Sequence, residues 1–246
     1  MPNKMVLLTG VVQGLGLYLC RELKSHGFNI TGIDIHDTEN LLPELQAILT
    51  NYYAYDLSET AGIPGLIRQI ISENGNIDIL INNAGIKSFR LLTEYSDDEF
   101  RKVIDVNFIA PVLLTKQLIP LMMEQQYGRI INIASNAGFE GYKTGSAYCS
   151  SKGAMHLFTQ AVAAELKNNI TINTISPSTI ATAEYIKSKP GIEPSRFISP
   201  QQVSAMIFKI IYSGVNGKVF PVINFKSRIR YFAADLRKHL YWISHR

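Results

Sequence analysis

"MVLLTGVVQGLGLYLC", Met5–Cys20, runs from a short apolar segment into a helical pattern through a loop holding Gly10, Gly14 and Gly16. A strand over Val6–Thr9 that feeds a helix over Leu15–His26 in this way lets backbone approach a pyrophosphate and turns a helix N-terminus toward its charge. An ordinary glycine-rich turn has the same composition. The residues further along the chain therefore decide between the two.

The same alternation continues outward from this stretch. Short β-branched runs predict strands near Ile30–Ile35, Tyr52–Tyr55, Ile77–Ile81, Arg129–Ile133, Thr171–Ile175 and Lys218–Val222. Between them, helical patterns cover Gly62–Glu73, Asp97–Glu124 with a break near Pro111, Tyr148–Leu166 and Pro200–Tyr212. Strand and helix in strict alternation imply a parallel sheet covered on both faces, and right-handed crossovers make it a doubly wound, Rossmann-type α/β fold of about seven strands. Ser178–Ser199, with Pro190, Gly191 and Pro194, is the one long irregular segment and reads as a lid or substrate loop.

The 246 residues are 46% hydrophobic and 18% charged, which fits one globular domain over residues 1–223 followed by an extension over 224–246. Cys20 and Cys149 have neither metal-ligand spacing nor a disulfide framework, as in a reducing compartment. The N-terminal apolar run is too short for a signal peptide or a membrane span, so a cytoplasmic location is expected. The net charge of +4 is concentrated in the extension, where Lys226, Arg228, Arg230, Arg237, Lys238 and Arg246 face a single Asp235. The body is close to neutral, which argues against a nucleic-acid-binding surface on the fold.

Polar residues stand where the strands end. Asp34 closes the second strand, eighteen residues past Gly16, where a carboxylate can accept hydrogen bonds from an adenosine ribose and would repel a 2′-phosphate. With Gln13 in the loop and no Arg or Lys just after Asp34, NAD is favoured over NADP. Asp56 suits an adenine amino group, and Asn83, Ala84 and Gly85 let backbone pass close to a ribose. Each of these could alone be turn chemistry. Their placement at successive strand ends favours a common ligand.

The stretch "SNAGFEGYKTGSAYCSSK" places Ser135 just past a strand and puts Tyr148 and Lys152 four apart at the start of a helix. Residues four apart share a helix face. A phenol with a pKa of about 10 is a poor acid–base group at neutral pH, and a neighbouring ammonium would lower that value. Ser135 can hydrogen-bond the substrate oxygen that Tyr148 protonates.

With "TGVVQGLG", "NNAG" (Asn82–Gly85), "VNF" (Val106–Phe108), Ser135, Tyr148 and Lys152, and "ISPS" (Ile175–Ser178), the sequence resembles the short-chain dehydrogenase/reductase family over about residues 5 to 222. The resemblance implies a tetrad of Asn107, Ser135, Tyr148 and Lys152. Tyr148 would be the acid–base group and Ser135 would polarise the carbonyl. Lys152 would bind the nicotinamide ribose and lower the Tyr148 pKa, and Asn107 would hold a proton-relay water. It further implies cofactor contacts at Gly10, Gln13, Leu15, Gly16, Asp34, Asp56, Leu57, Asn83, Pro177, Ile180 and Thr182, and hydride transfer with a small carbonyl or secondary-alcohol substrate in a homodimer or homotetramer. No metal is called for.

Three departures from the family pattern stand out. Ser178 replaces a common glycine, Ser178–Ser199 looks shorter than the usual lid, and Lys143 replaces a common proline near the expected substrate pocket. Lys143 is read either as a hint of an acidic or phosphorylated substrate or as a solvated lysine. Tyr142, Tyr185 and Ile186 are expected to face substrate. In the extension, Ile229, Phe232, Leu236, Leu240 and Ile243 form one helical stripe, flanked by basic residues and Trp242. It suits a peripheral membrane or partner contact, or docking on its own domain. Two other functions stay open at this point: a catalytically silent dinucleotide-binding scaffold, and a dehydratase or epimerase with bound NAD.

Overall fold

The structure, a computed structural model, describes residues 3–167, 169–188, 191 and 193–224. Apart from Asn224, the expected helical extension over 224–246 lies outside the described residues.

Seven strands form one parallel sheet: β1 Met5–Thr9, β2 Asn29–Asp34, β3 Asn51–Ala54, β4 Ile79–Asn82, β5 Gly128–Ile133, β6 Ile170–Pro177 and β7 Val219–Val222. Their spatial order is β3-β2-β1-β4-β5-β6-β7, so the order reverses between β1 and β4. A crevice opens at that reversal, beyond the carboxyl ends of the strands.

The two-residue period of each strand supplies two separate cores. Leu8, Ile81 and Ile131 face one way, against Leu19 of helix α1 (Gly14–Ser25) and Ile207 of the helix over Pro200–Tyr212. Leu7, Leu80 and Ile130 face the other way, against the helices over Ile63–Asn74 and Ala110–Glu124. Apolar residues at consecutive strand positions are what a sheet buried on both faces requires.

Two short helices escaped the sequence pattern. In chain order the helices after α1 are α2 Pro43–Ile48, α3 Ile63–Asn74, α4 Asp97–Ile104, α5 Ala110–Glu124, α6 Ser146–Glu165, α7 Ala183–Ser188 and α8 Pro200–Tyr212. Six residues are too few to show a helical period, so α2 and α7 form through tertiary context rather than propensity. The segment Ser178–Ser199 is therefore not wholly irregular, because α7 and a short turn of 3-10 helix at Pro194–Arg196 lie within it. In place of the break expected near Pro111 the helical run stays continuous from Asp97 to Glu124, with Asp105–Ile109 widened into one π-helical turn just before Pro111.

A buried polar chain fixes α6 against the sheet. Asn82 Nδ2 donates to Asn132 Oδ1 at 2.8 Å, and Asn132 Nδ2 donates to Thr159 Oγ1 at 3.0 Å. Thr159 pairs in turn with Thr174 Oγ1 at 2.6 Å. Asn82 Oδ1 is left without a protein partner, but the bonded members of this buried chain tie α6 to β4, β5 and β6, and so help set where Tyr148 and Lys152 stand.

Candidate active site

One cleft of about 820 Å³ lies along the carboxyl ends of the strands. Its floor is the β1–α1 loop. Gly10 (φ 71°) and Gly14 (φ 60°) occupy left-handed backbone that favours glycine. A Cβ on Gly10 would stand 2.9 Å from Ala84 Cα, and one on Gly16 would stand 1.7 Å from Gly10 O. Gly16 does not line the cleft; it lets α1 close onto the loop. Gln13 caps α1 without a side-chain hydrogen bond, and the first turn of α1 holds no acidic residue. That leaves the N-terminal N–H groups of α1 suited to a phosphate. The Asn83 amide braces the loop through Thr9 O and Gly10 O, both at 3.0 Å.

At one end stand the acceptors. Asp34 is buried, with Oδ2 accepting from Val12 N at 3.0 Å and Oδ1 from Ile35 N at 2.8 Å. His36 Nδ1 lies 2.6 Å from the same Oδ1, and its ring lines the cleft. Asp56 accepts from Ser58 N at 2.8 Å and pairs with Lys102 at 3.3 Å. Burial pushes its carboxyl up, yet the Ser58 and Lys102 contacts outweigh that and leave its pKa lowered. Leu57 lies beside it.

At the other end stand Ser135, Tyr148 and Lys152. Ser135 follows β5 and caps the short turn Asn136–Gly138, its Oγ accepting from Ala137 N at 3.2 Å. Tyr148 and Lys152 are both buried, in the first two turns of α6. Lys152 Nζ donates to Ile133 O at 3.0 Å and lies 5.8 Å from the Tyr148 ring centroid. Burial lowers the Lys152 pKa to about 8, with a further contribution from the Lys87 ammonium. Burial also raises the Tyr148 phenol above its ordinary 10, and the hydrogen bond with Ser135 offsets only part of that rise. The sequence-based expectation of a phenol lowered by Lys152 is thus not met here: burial dominates, and the lowering contact is the Ser135 hydrogen bond. Behind Lys152, His156 bonds Ser176 Oγ at 2.7 Å; burial and the Lys152 charge lower its pKa to about 4.

Asn107 lies behind the cleft, inside the π-helical turn. Its Oδ1 accepts from Ile86 N at 2.8 Å, and its Nδ2 donates to Ile86 O at 2.9 Å and to Ser151 Oγ at 3.2 Å. Protein partners thus take both ends of the amide, so the side chain positions the loop after β4 against α6. The sequence does carry a signal for it: Asn107 falls in the buried row of Val103, Ala110 and Leu114.

The remaining expected residues divide. Leu15, Ala84, Gly85, Pro177, Ile180 and Thr182 line the cleft, as do Tyr142 and Tyr185. Ile186 and Lys143 do not, and Lys143 is exposed to solvent. Sequence reasoning missed Lys87, Phe89 and His36, all of which line it. Position just after the "NNAGI" and "GIDI" motifs was the available signal.

The residues present fit a dinucleotide: a glycine cradle at a helix N-terminus, with carboxylates on one side and a buried lysine on the other. The sequence model of the family described as short chain dehydrogenase matches residues 4–191. A 2-dehydro-3-deoxy-D-gluconate 5-dehydrogenase from Formosa agariphila is 32% identical over 188 residues, 74% of this chain and 71% of that protein. Among solved structures, 4-hydroxyisoleucine dehydrogenase complexed with NADH is similar with a TM-score of 0.82 at 30% identity, covering 90% of this chain and 97% of that one. ElxO with NADP bound is similar with a TM-score of 0.80 at 25% identity, covering 90% and 97%. A nicotinamide dinucleotide is common to these two structures, one reduced NAD and the other NADP. Sheet order, glycine cradle and sequence match agree, and the chain belongs to the short chain dehydrogenase family of oxidoreductases.

Proposed function

We propose that the protein is an NAD(H)-dependent oxidoreductase that interconverts a carbonyl compound and its secondary alcohol, with Tyr148 as the acid–base group. The carrying observation is that a single cleft joins the glycine cradle and Asp34 at one end to Ser135, Tyr148 and Lys152 at the other. Nicotinamide dinucleotide, when bound, supplies the hydride chemistry. The chain supplies position and protons. The backbone of Gly10–Leu15 holds the pyrophosphate, Asp34 accepts from the adenosine ribose, and Asp56 and Leu57 hold the adenine. Asn83, Ala84 and Gly85 run beside the ribose, and Pro177, Ile180 and Thr182 hold the nicotinamide end. NAD is preferred because the phosphate of NADP would meet the Asp34 carboxylate. Similar structures hold either coenzyme, so the choice rests on Asp34.

At the reacting centre, the Ser135 hydroxyl orients the substrate oxygen and Tyr148 exchanges a proton with it. A phenol raised by burial stays protonated at neutral pH, the form that reduction needs, but it is a weaker acid, so in both directions the Lys152 ammonium must stabilise the phenolate. Asn107 acts through others, by holding Ile86 and Ser151. The reading is tested by following NADH consumption against a panel of ketones and oxo acids. Consumption that depends on Tyr148 supports it, and NADH binding with no consumption on any of them counts against it.

A further inference from the structure

Lys87 has no task in the reaction as proposed. It follows the loop Asn83–Ile86 and lines the reaction end of the cleft together with Phe89, Ser135, Tyr142, Tyr148 and Lys152. Its backbone is fixed from behind, because the Asn107 amide grips both the N–H and the C=O of Ile86. The same amide reaches Ser151, whose hydroxyl donates to Tyr148 O at 2.7 Å. Lys87 is therefore carried one residue from a clamp that also holds the first turn of α6.

The charges around it are one-sided. Among the described residues Lys87 makes no ion pair. Among the described residues the carboxylates lining the cleft are Asp34 and Asp56, both at the adenosine end, and Asp56 is already paired with Lys102. The Lys87 ammonium is near enough to Lys152 to depress its proton affinity. Two ammonium groups sharing one wall repel each other until an anion joins them. A lysine is a point charge that takes a carboxylate or a phosphate, but among the described residues no arginine lines the cleft to share a phosphate's further charge, so one carboxylate matches a single lysine. The rest of the wall is aromatic, with the Phe89 ring 5.9 Å from that of Tyr148 and 6.0 Å from that of Tyr142.

We infer that the substrate is a small hydroxy acid with its oxo acid counterpart, whose carboxylate pairs with Lys87 while its alcohol or carbonyl carbon faces Tyr148. The carboxylate takes no part in the bond changes. This inference rests on the oxidoreductase reading and names its substrate class. It also moves the acidic-substrate signal from Lys143, which does not line the cleft, to Lys87, which is likewise exposed but does line it.

The test is calorimetric titration of the NAD⁺ complex, where oxo acids bind without turnover, with acetoacetate, levulinate and pyruvate and with their methyl esters. At least one acid should bind roughly 10- to 100-fold more tightly than its ester, the range for a hydrogen bond to a charged group. Lys87→Met should remove that preference and Lys87→Arg should retain most of it; a merely structural role would weaken acids and esters alike. Acids and esters that bind equally to the unmodified protein, no binding of any acid, or a preference that survives Lys87→Met would each overturn the inference. Failure of NAD⁺ itself to bind would instead remove the oxidoreductase reading beneath it.

Discussion

The two ends of the cleft solve different problems with different electrostatics. At the adenosine end, Asp34 is fixed by the backbone N–H groups of Val12 and Ile35, and Asp56 by Ser58 and Lys102. These are settled acceptors suited to recognition. At the reaction end, burial pushes the Tyr148 phenol up and the Lys152 ammonium down to about 8, with Lys87 adding a second positive charge. The groups there are held away from their preferred states. One fold thus keeps recognition where the charges are satisfied and proton transfer where they are strained, which is where perturbed titration is expected to gather.

The contrast breaks most visibly at Tyr148. Tyr148→Phe should lower turnover by roughly 100- to 10,000-fold and shift the NADH dissociation constant by only a few-fold, as measured by nicotinamide fluorescence. Comparable losses of binding and turnover would mean that the two ends are not separable. Asp34→Asn keeps the acceptor oxygen and removes the charge. The ratio of NADPH to NADH dissociation constants should then narrow by roughly 10- to 100-fold, while turnover at saturating NADH stays close to that of the parent. An unchanged ratio would take Asp34 out of coenzyme selection.

The smallest expected effect is on stability. The folded pKa of Lys152 is depressed from 10.5 to about 8, so the unfolded chain binds more protons between those values. Stability from this group therefore rises with pH across that window, and its full cost is present below it. Lys152→Met removes the cost. Its Tm at neutral pH should exceed that of the parent by about 2–6 °C, and the gain should vanish above pH 10.5. A lower Tm at neutral pH would mean that the bond to Ile133 O outweighs the burial of the charge.

Much of the adenosine end was legible in the sequence because its residues lie at strand ends, where a period-two apolar run stops and a polar residue begins. Gly10, Asp34, Asp56 and Asn83 are all of this kind. The Tyr148–Lys152 pair was legible for a similar reason, since residues four apart share a helix face. The walls of the reaction end were legible only in part, at Tyr142 and Tyr185. Lys87 and Phe89 gain meaning only through the Asn107 clamp on Ile86, a contact 21 residues away in the chain. Helix α7 stayed hidden because six residues carry no period, although Tyr185, which it carries, was expected to face substrate and does line the cleft. The Tyr148 pKa was misjudged because a sequence shows the neighbouring charge and not the depth of burial.

Coenzyme choice tests the central claim most directly. Purified protein titrated with NADH and with NADPH, followed by nicotinamide fluorescence, should bind NADH at least tenfold more tightly, the minimum for one charged hydrogen bond gained and one phosphate repelled. Equal affinities or tighter NADPH binding would contradict the assignment of Asp34. Binding of neither would contradict the account of the cleft as a whole.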